Sequence, residues 1–349
     1  MGWALIRKQW FLASLLVVIP AGIGLGLQMT VADWQSVTEG LPASVVSLMG
    51  LYSRLATAAI LFLMSFSLES RRLGAAVRSP MPTVLAILIN YAAIPLLAIP
   101  LAKLQLTTDF AIGLAITASV PCTMAAASVW TRKAGGNDAI SLMVTMVTNG
   151  ICFVVTPFWI AILVGKAIDL DAASMMWRLA LSVLLPCFIG QLMRIGKSPR
   201  EWATRNKTQL GVVAQLLILS LIFLASVGGG QTLNSSGSGA GVGAIVLVWL
   251  TGIGLHLVAM GVAWIASTAL RFETDDTKAV IFAASQKTLP IGVLIATDPA
   301  MLGNPNLLGN GIGVPFAVFP ILMFHASQLF IDTAVAGYLA KKETVVVPQ

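Results

Sequence analysis

The sequence predicts an all-α integral membrane protein, and three observations support this fold class. Of the 349 residues 57% are hydrophobic and only 10% are charged, whereas soluble domains carry about 25% charged residues. Mean hydropathy is +0.90, so the apolar surface exceeds what globular cores of a chain this long can bury. The apolar residues also fall into runs of about 20, the length that crosses a bilayer as a helix. We therefore expect the excess apolar surface to face a lipid bilayer.

Ten apolar runs are predicted to be transmembrane helices, because a helix satisfies its own backbone hydrogen bonds where water is absent. The first run could alternatively be a signal peptide, but it is longer than the apolar part of one and lacks a small-residue cleavage site. A Gly/Ser-rich segment, residues 227–243, is predicted to be a flexible outside loop. The ten predicted spans are 10–28, 51–68, 82–102, 109–131, 139–165, 175–195, 209–228, 240–269, 278–297 and 313–340.

The uneven distribution of lysine and arginine predicts the orientation of the chain. If the ten helices begin and end inside the cell, sixteen of the 21 basic residues lie in inside segments, as the positive-inside rule requires. We therefore expect a multi-pass protein of the plasma membrane, or of the inner membrane in a bacterium, with both termini cytoplasmic. The net charge of +7 reflects this topology, and no nucleic-acid partner is expected. The sixteen residues are Arg7, Lys8, Arg71, Arg72, Arg78, Arg132, Lys133, Arg194, Lys197, Arg200, Arg205, Lys207, Arg271, Lys278, Lys341 and Lys342.

The order of features in the first half of the chain recurs in the second half. VIPAGIG in the first span corresponds to LLPCFIG in the sixth, and ILFLMSF in the second corresponds to LIFLASV in the seventh. An odd number of crossings turns the second copy over, so two similar sets of five helices form an inverted repeat, an architecture typical of transporters. The predicted repeats are residues 1–166 and 167–349 of one membrane domain.

Spans four and nine are predicted to be broken helices that cross near the middle of the bilayer. The fourth contains SVPCTMAAAS around Pro121 and the ninth contains ASQKTLPIG around Pro290, and each combines a proline with small or polar residues. Paired discontinuous helices mark substrate and ion sites in transporters, because their ends expose backbone groups. The alternative is a pair of proline-kinked helices that pack through small residues.

Lys287 lies within the ninth span, where a charged side chain costs several kcal/mol and usually faces a water-filled or ion-binding cavity. It follows Lys278 by nine residues, about 13 Å along a helix axis. That depth makes it difficult for the ammonium group to reach the membrane surface. The alternative is an ion pair with a structural acid such as Asp332 or Glu69.

Neutral polar residues of other spans are predicted to line the same cavity. Ser141, Thr145, Thr148 and Asn149 recur on one face of the fifth span, and Asn90 lies in the third span. Their oxygens suit a hard cation, although serine and threonine also bond to carbonyls of their own helix.

Other residue types narrow the function further. His256 and His325 lie in spans eight and ten, where they form a proton relay or, alternatively, are hydrogen-bonded structural residues. Cys122, Cys152 and Cys187 lie in apolar runs and predict neither disulfides nor a metal site. No phosphate loop, serine elbow or catalytic carboxylate pair occurs, so no enzyme is expected. A channel is also disfavoured. No cofactor is expected, and the candidate coupling ions are Na⁺ and H⁺.

Three segments resemble the bile acid:sodium symporter family, and in particular its sodium/bile-acid-like branch of ten-helix members. They are SVPCTMAAASVWTRKAGGNDAISLMVTMVTN at 119–149, ASQKTLPIG at 284–292 and FPILMFHASQLFIDTAVAGYLAKK at 319–342. The resemblance extends over nearly the whole chain. It implies a panel domain and a core domain, with broken helices four and nine crossing at the substrate and sodium sites.

The resemblance also implies two sodium sites. The positions that match the first site are Ala127, Ser128, Ser141, Thr145 and Phe282, and those that match the second are Asn90, Phe282, Ala283, Ser285 and Gln286. The candidate sodium ligands in this sequence are Ser128, Ser141, Thr145 and Gln286. The candidate substrate- and ion-binding residues as a whole are Asn90, Thr123, Ala127, Ser128, Ser141, Thr145, Ser285, Gln286, Lys287 and Thr288.

Three positions depart from the family pattern. The acidic residue expected at Phe282 is absent, a serine is replaced by Ala127, and the polar neutral residue after the glutamine is Lys287. A site that has lost a carboxylate and gained an ammonium should bind sodium poorly, so we hypothesise that Lys287 substitutes for a bound cation and permits proton coupling. The predicted function is secondary active transport of a small organic anion, bile-acid-like or another carboxylate, by alternating access. The alternative is a non-transporting membrane regulator or scaffold that retains the fold.

Overall fold

All regular structure in the described residues is helical. The computed structural model describes residues 10–28, 43–68, 80–124, 126–164, 170–235, 242–298, 301–302 and 317–346. In chain order the helices are α1 (Trp10–Gln28), α2 (Ala43–Ser67), α3 (Pro80–Lys103), α4 (Thr108–Ser119), α5 (Ala126–Lys133), α6 (Asp138–Val164), α7 (Ala172–Met193), α8 (Lys197–Arg205), α9 (Lys207–Ser235), α10 (Val242–Ala269), α11 (Thr274–Ser285), α12 (Leu289–Thr297) and α13 (Val318–Val346).

Seven segments of the described chain are long and apolar enough to cross a membrane. They are α3, α6, α7, α9, α10, α11 taken together with α12, and α13. Three further apolar helices are shorter, and they belong to α1, α2 and α4. Each of the ten predicted spans overlaps at least one of these helices, and the protein is a multi-pass membrane protein.

The segment 227–243 is not wholly a flexible loop, so this prediction is wrong for its first part. Helix α9 continues to Ser235. A Cβ atom on Gly230 would lie 2.4 Å from the carbonyl oxygen of Ile23 in α1, which means that glycine allows the two helices to approach closely. This packing outweighs the low helix propensity of glycine, about 1 kcal/mol per residue. Residues 236–241 of the predicted loop lie outside the described residues.

Helix α8 lies between the sixth and seventh predicted spans and was not predicted. It is nine residues long and polar, so no apolar run signals it. Its Ala203 is buried, and Trp202 stacks on Phe66 of α2 with the ring centroids 6.1 Å apart. Helix α8 is therefore fixed to the end of α2.

The helices pack in two groups. In the first group, α1 and α2 pack against α9, and α2 also packs against α7. The second group contains α3, α4, α5, α6, α10, α11 and α13. Helix α12 joins the groups, because it contacts α13 on one side and α2 and α9 on the other. Helices α6 and α7 also pack against each other across the groups. Arg54 of α2 strengthens this junction through an ion pair with Asp298, the residue that follows α12.

The segment from α11 to α12 is the most enclosed part of the described chain. Every residue from 278 to 296 is buried. Its polar groups therefore have no access to water and need partners within the protein.

Candidate functional site

The fourth predicted span is interrupted between α4 and α5. Helix α4 ends at Ser119, the next residue Val120 has an extended ψ of 156°, and α5 begins only at Ala126. Pro121 accounts for this break, because a proline lacks an N–H group and disfavours helical geometry in the residue before it. The break leaves backbone carbonyls without helical partners in a buried place.

Polar side chains of α6 satisfy two of these carbonyls. Thr145 Oγ1 donates to Thr123 O over 3.1 Å, and Asn149 Nδ2 donates to Cys122 O over 2.9 Å. Both side chains belong to the polar face that the sequence predicted on the fifth span. A third member, Thr148, bonds instead to Val144 O of its own helix.

The ninth predicted span is interrupted between α11 and α12. Gln286 and Thr288 have extended ψ angles of 143° and 134°, and α12 restarts with Pro290 in its first turn. Proline is well suited to this position, because its missing N–H would have no intrahelical partner there. The two predicted interruptions are therefore present.

Asn90 caps the buried C-terminal end of α11. It lies in a π-helical turn of α3, Ile89–Ala93, a geometry that is frequent at functional sites. Its Nδ2 atom lies 3.0 Å from Ala284 O and 2.9 Å from Gln286 O. The last carbonyls of a helix have no intrahelical donors, so one amide group satisfies what would otherwise be orphaned acceptors.

The two breaks are in direct contact. The Thr288 N–H donates to Pro121 O over 2.8 Å, and Thr123 Oγ1 donates to Gln286 Oε1 over 2.7 Å. One contact joins backbone to backbone and the other joins side chain to side chain. The breaks therefore form one polar site in the protein interior.

Lys287 places its ammonium group at this junction. The side chain is 2% exposed, and Nζ lies 2.6 Å from Asn90 O, 3.2 Å from Asn90 Oδ1 and 2.9 Å from Val120 O. Three N–H donors thus meet three oxygen acceptors, one of them a carbonyl of the opposite break. Nζ also lies 5.5 Å from the centre of the Tyr91 ring, within the range of a cation–π interaction.

Lys287 is not paired with Asp332, so this alternative is wrong. Asp332 is fully buried; its Oδ1 lies 3.0 Å from His256 Nε2, and its Oδ2 accepts a hydrogen bond from Gln286 Nε2 over 2.6 Å. The acid is therefore held by α10 and by the α11–α12 break, and it stabilises the orientation of the Gln286 amide. The other alternative partner, Glu69, lies outside the described residues.

The two histidines have separate partners. His256 also contacts Ser285 O through Nδ1 over 3.2 Å, while His325 Nδ1 lies 2.8 Å from Gln328 Nε2. They are not hydrogen-bonded to each other. Their arrangement corresponds to the structural alternative.

The serine hydroxyl groups at the positions that match the sodium sites have different partners. Ser128 Oγ accepts from Arg132 Nη1 over 3.0 Å, and Ser141 Oγ lies 2.7 Å from Thr131 Oγ1. Ser285 Oγ bonds to Ile281 O of its own helix over 2.8 Å. Ala127 is fully buried and contributes no side-chain oxygen.

A cavity of about 150 Å³ lies between the two helix groups, but the predicted polar face does not line it. Of the ten candidate residues only Ser128 borders this cavity. Asn90, Thr145 and Lys287 instead bond to backbone carbonyls at the breaks. Ser141 bonds to Thr131 and Ser285 to its own helix, so the predicted polar face is not the lining of this cavity. The remaining lining residues are Met64, Ser67, Leu68, Met124, Val129, Arg132, Leu142, Lys207, Leu210, Gly211, Ala214, Gln215 and Ile218.

Gln328 is a site residue that the sequence analysis missed. Its Oε1 accepts from Lys287 N over 3.0 Å and its Nε2 donates to Lys287 O over 2.9 Å. This side-chain amide replaces the helical partners that the break removes. The spacing of His325, Gln328 and Asp332 within an apolar helix puts all three on one face, and this polar face could have been read from the sequence.

The family model and the related proteins that match this chain point to the same kind of protein. The family model described as the SBF-like CPA transporter family matches residues 9–341. The "Probable sodium/metabolite cotransporter BASS4, chloroplastic" of Arabidopsis thaliana is 25% identical over 92% of this chain and 71% of its own. "Sodium/bile acid cotransporter 7-A" of Xenopus laevis is 22% identical over 94% of this chain and 90% of its own.

A solved structure has a similar fold. The sodium proton antiporter MjNhaP1 from Methanocaldococcus jannaschii at pH 8 matches with a TM-score of 0.54, covering 98% of this chain and 99% of the antiporter chain. Sequence identity is 12%. At that identity the likeness concerns the fold alone.

Proposed function

Because the chain belongs to the SBF-like CPA transporter family, we propose that it is a secondary active transporter in which the Lys287 ammonium replaces a bound sodium ion and carries the coupling proton. The cargo is a small organic anion, bile-acid-like or another carboxylate. Relatives named as sodium/bile acid and sodium/metabolite cotransporters support an organic solute as cargo.

The observation that carries this proposal is the position of Lys287 Nζ between the two breaks. Burying an ammonium costs several kcal/mol, and its three oxygen contacts offset that cost, since hydrogen bonds to charged groups contribute about 1.5–3 kcal/mol each. A sodium ion at the same place would need these oxygens as ligands. Val120 O is already used by Lys287, and Ala284 O and Gln286 O are used by Asn90. The residues present therefore fit a tethered ammonium better than sodium.

Release of the proton from Lys287 would change the hydrogen bonding at this junction. An ammonium has three N–H donors for its three acceptors, whereas a neutral amine has two and cannot satisfy all of them. Loss of the proton would therefore weaken the link between Asn90 of α3 and the α4–α5 break. A change of pairing at the junction of two broken helices is a suitable trigger for alternating access.

The arrangement in the membrane completes the proposal. Ten crossings in two inverted repeats, residues 1–166 and 167–349, would place both termini in the cytoplasm of a cell whose plasma or inner membrane holds the protein. The first helix group would correspond to the panel domain and the second to the core domain. Movement of one group against the other would expose the site alternately on the two sides.

The proposal is tested by uptake into proteoliposomes under imposed sodium or pH gradients, with a radiolabelled bile acid and a short-chain carboxylate as probes. We expect a pH gradient to drive uptake by the wild type and a sodium gradient to have no effect. Lys287→Ala and Lys287→Asn should reduce the response to pH at least tenfold, because neither side chain can carry a proton. Lys103→Asn, which removes an exposed lysine at the end of α3, should behave as the wild type. A strict sodium requirement that both Lys287 substitutions leave untouched would disprove the mechanism.

The second candidate is a membrane regulator that keeps the fold without transporting. It is favoured by the same observation, because protein groups already occupy the oxygens that a coupling ion would bind. In that case Lys287→Ala would leave the cellular phenotype unchanged, and neither probe would raise the thermal stability of the purified protein, as a ligand of the folded state must.

A further inference from the structure

Helix α8 begins where a lipid-facing helix ends. The last turns of α7 expose large apolar side chains, with Phe188 61% and Leu192 52% exposed. Such exposure in a multi-pass membrane protein marks the lipid-facing surface. Helix α7 ends at Met193 and α8 starts at Lys197, so α8 lies at the boundary between hydrocarbon and water.

Two large apolar side chains of this corner are more than half exposed in the described structure. Ile195 is 75% exposed and Trp202 is 53% exposed. Tryptophan is enriched at the level of the lipid headgroups, because its ring is apolar and its N–H is polar. Ala203, next to Trp202 in the chain, is fully buried against the protein. The corner therefore packs on the protein through Ala203 and through the stacking of Trp202 on Phe66, and it exposes Ile195 and the rest of the Trp202 side chain.

The same corner carries a concentration of positive charge. Residues 197–207 contain four basic side chains and a single acid, Glu201, and Lys197, Arg205 and Lys207 are all exposed. Arg194 precedes them but is buried, with Nη1 bonded to Phe66 O over 2.7 Å. Arg194 thus anchors the corner, while Lys197 and Arg205 are exposed on α8 itself.

We propose that α8 and its flanks, residues 195–207, form a binding site for the headgroups of anionic phospholipids. Basic residues clustered directly beyond a membrane helix attract anionic lipid surfaces, and a short helix with basic and aromatic sides lies in the interface plane. The exposed Ile195 and Trp202 select a lipid surface over a free anion, because a soluble phosphate offers nothing for them to contact.

The site is connected to the first helix group. Trp202 stacks on Phe66 of α2, and α8 contacts both α2 and α9. Both of these helices belong to the first helix group. Lipid bound at α8 therefore stabilises one helix group selectively, whether or not the transport mechanism proposed above is correct.

The test measures thermal unfolding of the full-length protein, purified in a neutral detergent, against added phosphatidylglycerol, phosphatidylcholine or glycerol phosphate. For the wild type we expect Tm to rise with phosphatidylglycerol only. Each basic residue near an anionic surface strengthens binding about fivefold. Lys197→Gln combined with Arg205→Gln should therefore require about 30-fold more phosphatidylglycerol for the half-maximal shift, and Arg205→Gln alone about fivefold more.

The matched control removes two exposed charges elsewhere, Lys103→Gln with Arg271→Gln, and should keep the wild-type response. The proposal is overturned if the α8 double variant responds as the wild type does, or if the control loses the response equally. An equal rise with phosphatidylcholine, or with glycerol phosphate, would also overturn it, since the first needs no charge and the second needs no membrane. If the double variant does not fold, the response of Arg205→Gln decides.

Discussion

At the scale of single residues, two side chains define the site. Lys287 places an ammonium group where a cation would bind, and Asn90 caps the end of a broken helix. Lys287 bridges α3 and the α4–α5 break with one ammonium group. Asn90 serves as an acceptor for that ammonium through Oδ1 and as a donor to the end of α11 through Nδ2. Removing Asn90 would therefore orphan groups on both sides of the junction at once.

Asn90→Ala is expected to lower the free energy of unfolding by about 2–4 kcal/mol, because buried carbonyls of α11 lose their donor and each unsatisfied group costs about 1–3 kcal/mol. Thermal unfolding of the purified protein measures this loss. Asn206→Ala is the control, since Asn206 donates a comparable 2.9 Å bond to Trp202 O in an exposed place, and it should change stability by less than about 0.5 kcal/mol. Equal losses in the two variants would show that capping by Asn90 is unimportant.

At the scale of elements, the contact between α1 and α9 depends on glycines that no propensity scale favours in a helix. A Cβ atom on Gly26 would lie 2.1 Å from Val227 O, and one on Gly230 would lie 2.4 Å from Ile23 O. Both obstacles are backbone atoms, which cannot move aside without shifting a helix. Close approach through small residues is a main source of helix association in lipid, where burial of apolar surface drives little.

Gly26→Ala should therefore push α1 away from α9 and destabilise the protein by about 1–3 kcal/mol, the usual cost of overpacking. Gly24→Ala provides the comparison one half-turn away, because a Cβ atom there meets nothing within 4 Å. It should be neutral or stabilising by up to about 1 kcal/mol, since alanine is the better helix former. Thermal unfolding in detergent distinguishes the two, and a Gly26→Ala protein as stable as Gly24→Ala would contradict the close packing.

At the scale of the whole molecule, the junction between the two helix groups is closed at one end and hollow at the other. The Arg54–Asp298 ion pair joins α2 to the end of α12, while the cavity near Ser128 separates α2 and α9 from α5 and α6. On the predicted topology, Arg54 lies towards the outside and the cavity towards the cytoplasm. Under the transport mechanism proposed above, this arrangement would correspond to a carrier open to the inside.

Cysteine labelling tests this orientation with two residues on opposite sides. In a cysteine-free background, Gly211→Cys at the cavity wall should react with a membrane-impermeant maleimide only after the cells are opened. Leu106→Cys in the exposed turn after α3, where Leu106 is 68% exposed, should react in intact cells. The reverse pattern would invert the topology, and labelling of both in intact cells would refute the predicted separation of these sites by the bilayer.

Much of the candidate site could be predicted because its signals are local. Pro121 and Pro290 interrupt apolar runs, and Lys287 is a charge where lipid permits none without a partner. The partners of Lys287 could not be predicted in full. Val120 is apolar and contributes only its carbonyl oxygen, and a backbone acceptor has no sequence signal. Asp332 is a plausible partner by sequence, but in the structure its carboxylate contacts the side chains of His256 and Gln286 instead.

The sequence by itself determined that the chain is helical, that it belongs in a membrane, and that two of its apolar runs are broken, since these depend on composition and on proline within single segments. Only the tertiary structure decided that α9 extends through its glycines, that α8 forms, and that the polar residues of α6 cap a break rather than line the cavity. These outcomes depend on contacts between residues far apart in the chain. Packing distance and hydrogen-bond competition settle them, and neither quantity exists until the helices come together.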